Sequence, residues 1–140
     1  MLSDVIALSL APYGTLEGGH PRLTARGPTL RLDPNAAVTI SMAFHELATN
    51  AAKYGALSSE EGSISIGWSR PASDPLFIEL IWREAGGPRV APPDKRGFGS
   101  KLLQQGLARE MNGSVTLGYE PAGVSCTMRF PLSTKLELIG

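Results

Sequence analysis

The chain has 140 residues, thirteen basic and thirteen acidic, and a single cysteine. That length suits one domain with its own core, and a net charge of zero gives no reason to expect a nucleic-acid or membrane partner. One cysteine and two histidines allow neither an internal disulfide nor a zinc-type ligand spacing, and no signal peptide or membrane-length apolar run is present, so a soluble, unexported, cytoplasmic chain is expected.

Leu2 to Leu10 is apolar at mixed spacing and stopped by Pro12, which predicts a short helix. Residues 1–12 are read as the end of a linker or preceding helix, 13–132 as the domain and 133–140 as a tail without clear pattern. Tyr13 to Pro21 is a glycine-rich loop. Arg22–Arg26 and Thr29–Leu32 read as two short strands or one bent strand. Asp33-Pro34 is a strong helix start, and the helix should run to about Tyr54 with Gly55 as its C′ residue. Ser63–Trp68 alternates as a half-buried strand, and Leu76–Trp82 is apolar enough to be central. Ala85 to Gly97, rich in glycine and proline, is a long loop. Phe98–Met111 has helical periodicity closed by Asn112-Gly113, and Ser114–Tyr119 with Val124–Leu132 forms a last hairpin. This order predicts an α+β two-layer sandwich, a mixed, mostly antiparallel sheet covered on one face by helices.

On the first long helix, Thr39, Glu46, Asn50 and Lys53 fall on one stripe, with Ile40, Phe44, Leu47, Ala51 and Tyr54 on a second, apolar one. A carboxylate, an amide and an ammonium in a narrow line form an inventory for holding a metal–phosphate ligand. Asn50 offers a hard oxygen suited to Mg²⁺, and Lys53 a point charge for phosphates.

The segment from Phe44 to Gly55 resembles the N box of the GHKL ATP-binding superfamily. His45 before Glu46, the following Asn50-Ala51-Ala52-Lys53-Tyr54-Gly55, and Trp82-Arg83-Glu84 are similar to the HWE family of sensor histidine kinases. The resemblance covers about Leu2 to Leu132. It implies the Bergerat fold, ATP and Mg²⁺ as cofactors, a partner domain bearing the phosphoaccepting His on a dimerising hairpin, and a response-regulator receiver domain as the next acceptor.

Glu84-Ala85-Gly86-Gly87 places a carboxylate at a strand end before two glycines, where the acid accepts from an amino group such as adenine N6 and the backbone approaches a flat ligand; the plain alternative is a turn with a solvated acid. Gly97-Phe98-Gly99-Ser100 opens a helix, a recipe for phosphate or simply a relaxed loop-to-helix joint. By resemblance these are the two glycine boxes, and the loop between them is the ATP lid, with Arg89, Lys95, Arg96 and Lys101 as unranked phosphate helpers. The ATP-binding set is then Asn50, Lys53, Tyr54, Glu84, Gly86, Gly87, Gly97, Phe98, Gly99 and Ser100, and the catalytic set Glu46, Asn50 and Lys53. Mg²⁺ goes to Asn50, with Glu46 reaching it through water. Glu46 is a candidate general base, with a metal-supporting or structural role as its alternative.

His45-Glu46-Leu47-Ala48-Thr49 superficially resembles a phosphoacceptor box, but position 50 is Asn rather than Pro, so His45 is read as a supporting histidine and His20 as an ordinary loop residue. Trp82 is a core or cleft-wall aromatic, with ligand stacking as the alternative. The chain is therefore expected to bind Mg-ATP and donate its γ-phosphoryl group to a histidine outside the chain. The rival readings are a stand-alone GHKL ATPase or serine kinase, and a non-catalytic docking module.

Overall fold

Asp33 stands in extended backbone ahead of Pro34, and its Oδ1 accepts the Ala36 amide at 2.7 Å, so the first turn of the central helix is capped by the two residues that announce it. The computed structural model describes residues 1–13, 22–88 and 98–139, with 98–104 by backbone alone. His20, most of the glycine-rich loop, and the loop residues Arg89, Lys95, Arg96 and Gly97 lie outside the described residues.

Among the described residues the elements run α1 (Leu2–Leu10), β1 (Leu23–Arg26), β2 (Leu30–Leu32), α2 (Pro34–Tyr54), β3 (Ser63–Ser69), β4 (Phe77–Ala85), α3 (Phe98–Met111), β5 (Ser114–Glu120), β6 (Gly123–Pro131) and β7 (Leu136–Leu138). A five-stranded sheet has the order β1-β3-β4-β6-β5, in which only the β1–β3 pair is parallel. β4 is its middle strand, as its apolar content predicts. Leu76, counted with that strand in the sequence, precedes it and is 73% exposed.

Register explains why one face is apolar. Ile66 lies opposite Trp82, Trp68 opposite Leu80, Leu80 opposite Met128 and Trp82 opposite Cys126, so directly paired residues pool their side chains on a single face. Ile40, Phe44, Leu47 and Ala51 of α2 are buried in the same core. The opposite face carries Ser65, Thr127 and the directly paired Glu79 and Arg129, joined by an ion pair of 3.1 Å. The result is the expected α+β two-layer arrangement. Cys126 is buried in the core, and desolvation pushes its thiol up to about 12, so it behaves as a small hydrophobe.

Three local readings change. Tyr54 is 74% exposed and does not continue the apolar stripe, because the helix ends there and none of the described core residues reaches it. Gly55 has φ −118° rather than a left-handed conformation, so it is not a C′ glycine of the usual kind. The last turn of α3 does close in that way: Asn112 has φ 55°, and Gly113 N–H returns to Ala108 O at 2.9 Å. The third concerns the ends. β7, in the patternless tail, pairs antiparallel with β2, and Leu2, Ile6 and Leu10 of α1 are fully buried in the core.

Ile6 is therefore a core residue, while Leu8 on the same helix is 77% exposed. Urea unfolding should show Ile6→Ala destabilised by about 2–5 kcal/mol, and Leu8→Ala shifted by no more than about 0.5 kcal/mol. Equal small effects would mean that α1 contributes nothing to the core.

Candidate functional site

The helical stripe is present as drawn. Glu46, Asn50 and Lys53 lie along α2, the first two half-buried and Lys53 exposed. Asn50 Nδ2 donates to Glu46 Oε1 at 3.4 Å, a long and weak bond one helical turn apart. A carboxylate can only accept, so the amide must turn its nitrogen toward Glu46 and leave Oδ1 directed elsewhere. No described residue donates to that oxygen. His45 is exposed on the next helix position, and its carbonyl accepts from Thr49 Oγ1 at 2.8 Å.

Glu84 is the buried charged residue among the described ones, with 8% of its surface exposed. Its Oε1 accepts the Ala56 amide at 2.9 Å, and its Oε2 accepts the Trp82 indole Nε1–H at 3.0 Å. Trp82 is fully buried and packs against Phe44, ring centroids 6.1 Å apart, so it is a wall of the core and offers no open face to a stacking ligand. Burial raises the Glu84 carboxyl from its ordinary value, and the Ala56 and Trp82 hydrogen bonds pull it back down.

Around this carboxylate the backbone is closely packed. A Cβ on Gly55 would lie 2.2 Å from Glu84 Oε1, so position 55 is glycine to admit the acid rather than to turn the helix. A Cβ on Gly87 would lie 2.7 Å from the Ala56 Cα. The close approach expected of that glycine toward a ligand is thus, in this structure, an approach to the protein's own backbone. Gly86 is exposed, and its carbonyl accepts from Ser59 Oγ at 3.1 Å.

The connection after α2 is tied from the far side. Arg22 Nε donates to Gly62 O at 2.9 Å, and its Nη2 reaches the Leu57 and Ser59 carbonyls. Neither Arg22 nor the Ala56 amide was visible as a site component in the sequence. Arg22 carries no motif, and a backbone N–H has no residue identity. Phe98, Gly99 and Ser100 form the first turn of α3, and the amides and dipole at a helix start suit an anion. Gly97 lies outside the described residues.

The residues present fit an adenine nucleotide with Mg²⁺. Each Glu84 oxygen has one acceptor position used and one left, and Asn50 keeps a free hard oxygen. No cluster of three or more His, Cys, Asp or Glu exists among the described residues.

No family model matches the chain. It is 34% identical over 137 residues to the blue-light-activated histidine kinase of Brucella ovis, covering 96% of this chain and 27% of that protein. It is 37% identical over 134 residues to blue-light-activated histidine kinase 1 of Erythrobacter litoralis, covering 94% and 36%. The chain thus spans about a quarter to a third of the length of these relatives. Among solved structures it resembles the histidine kinase domain of a blue-light-activated kinase from Erythrobacter litoralis, with TM-score 0.71 and 16% identity over 96% of this chain and 64% of that one. The mycobacterial sensor histidine kinase MprB superposes with TM-score 0.68 and 16% identity over 99% and 97%.

Over nearly its whole length the chain is thus similar to one part of the blue-light-activated histidine kinases, and its fold is that of histidine-kinase domains.

The Glu84 carboxyl titrates higher in the folded than in the unfolded chain, so the folded state binds its proton more tightly. Its contribution to stability is then largest at low pH and declines as pH rises from the unfolded value of 4.5 through the raised folded value. Urea midpoints of wild type and Glu84→Gln across the acid range should show wild type losing ground to the variant as pH increases. A constant difference would show that the carboxyl is not perturbed.

Proposed function

We propose that this chain binds Mg-ATP and passes the γ-phosphoryl group to a histidine on a separate dimerisation domain of the same kinase, from which an aspartate of a response-regulator receiver domain takes it. The observation that carries this reading is the placement of the Glu46–Asn50 pair in the last turns of α2, directly before the Ala56 amide that holds Glu84. One helix end thereby brings a cation-type donor set close in sequence to a buried acceptor for an amino group. The kinase relatives support the same role.

In this reading Glu84 accepts from the adenine amino group, Asn50 ligates Mg²⁺, and Glu46 either supports that ion through water or acts as general base. Lys53 and the amides from Gly97 to Gly99 meet phosphate, and Tyr54, Gly86, Gly87, Phe98 and Ser100 complete the binding set. Mg²⁺, when bound, neutralises charge on the phosphates. The chain's own contribution is positioning and charge complementarity. No described helix is long and apolar enough to cross a membrane, and we place the domain in the cytoplasm with its ATP.

Calorimetric titration with ADP and a non-hydrolysable ATP analogue, with and without Mg²⁺, tests this. Wild type should bind with a metal-dependent gain, and Asn50→Ala should remove that gain, a loss of about tenfold or more when one charge-assisted contact is lost. A folded wild-type chain that binds neither nucleotide would overturn the reading.

A further inference from the structure

Positions 82 and 84 are two apart on β4, so their side chains leave the sheet on the same face. The indole N–H is a donor only, and it meets Glu84 Oε2 at 3.0 Å, while the Ala56 amide meets Oε1 at 2.9 Å. Held at both oxygens, the carboxylate cannot rotate without breaking one of the two bonds. Trp82 itself is fully buried against Phe44 and reaches no ligand. The tryptophan and the glutamate of the Trp82-Arg83-Glu84 signature therefore form one hydrogen-bonded unit with the backbone that follows α2.

We propose that Trp82 is a positioning residue: with the Ala56 amide it locks the Glu84 carboxylate as a fixed acceptor, and so sets a preference for adenine over 6-oxopurine nucleotides. The proposal rests on the nucleotide reading above. A 6-oxopurine presents a carbonyl oxygen where adenine presents its amino group, and a carboxylate that can neither turn nor donate repels it. Both donors favour the charged, acceptor-only form of the acid against the desolvation that opposes it. Without the indole N–H the carboxyl is free to turn and easier to protonate, and a protonated acid donates to the oxo group. The length of the side chain belongs to the same device, since Gly55 leaves the space into which Oε1 extends.

The test is titration of wild type, Trp82→Phe and Gly55→Ala with ADP and IDP, each variant first checked for its fold by circular dichroism. Trp82→Phe keeps an aromatic ring against Phe44 and removes the donor together with part of the indole's volume, which Gly55→Ala leaves in place. ADP binding should weaken about tenfold, as for one hydrogen bond to a charged group, and IDP binding should change little, so that the preference collapses. Gly55→Ala, which pushes a Cβ into Oε1, should produce the same collapse without touching the indole. As a readout free of ligand, the Trp82 indole N–H signal in a proton–nitrogen spectrum should shift in Glu84→Gln while that of Trp68, bonded to the Pro28 carbonyl at 2.6 Å, stays in place. A wild type that binds no ADP overturns the nucleotide reading and this one with it. A wild type that prefers ADP, beside a folded variant that prefers it equally, overturns this proposal alone, as does a Trp82 indole signal indifferent to Glu84.

Discussion

A carboxylate inside an apolar layer is the constraint on which the rest of the site depends. Stripping water from an ionised acid is costly unless hydrogen bonds replace it. Glu84 recovers two of them, from one strand neighbour and from a backbone amide beyond the end of α2. Those bonds do more than offset desolvation. They join the middle strand of the sheet to the chain leaving the helix, so the helix end cannot slide or lift without uncovering a charge. The positions of Glu46 and Asn50 relative to the sheet follow from that joint.

Other features keep the joint in register. Asp33 fixes where α2 begins, Phe44 against Trp82 fixes its rotation over the sheet, and Arg22 holds the carbonyls of the connection that follows. Gly55 and Gly87 bring backbone to within van der Waals distance of the acid and of Ala56. The sheet's other face, with its Glu79–Arg129 pair, contributes nothing to the site. Among the described residues, the candidate site lies on the helix side, at the end where α2 stops and β4 delivers Glu84.

Much of this was legible because the signals are local. The bounds of α2 and α3 follow from Asp33-Pro34 and Asn112-Gly113, the alternation of Ser63–Trp68 gives β3, and the composition of β4 gives its central place. The Glu46–Asn50 line follows from helical geometry alone. What was hidden is non-local. Three-residue strands such as β2 and β7 carry too little periodicity to announce that they pair. Tyr54 fits the apolar period, but burial also needs a core to face, and among the described residues none extends that far. Gly55 looked like a helix stop, yet its reason sits 29 residues later in a carboxylate. The Ala56 amide could not be found at all from side-chain patterns.

The two halves of the site differ in how firmly they are made, and the difference suits what each would hold. The acid of β4 is buried and bonded at 2.9 and 3.0 Å, whereas the amide of α2 is half-exposed and bonded to Glu46 at 3.4 Å. A short, buried bond costs much to break and keeps an acceptor where it is. A long bond near water costs little, so Asn50 can turn toward a cation without first giving up a strong partner. A flat, uncharged ring gains from an acceptor that is already in place, because any reordering subtracts from its affinity. A hydrated divalent ion, which keeps several waters and adjusts its protein ligands to phosphate, gains from an amide free to move. On the proposed reading, burial would assign rigid reading of the base and adaptable handling of the charge to different ends of the same few residues.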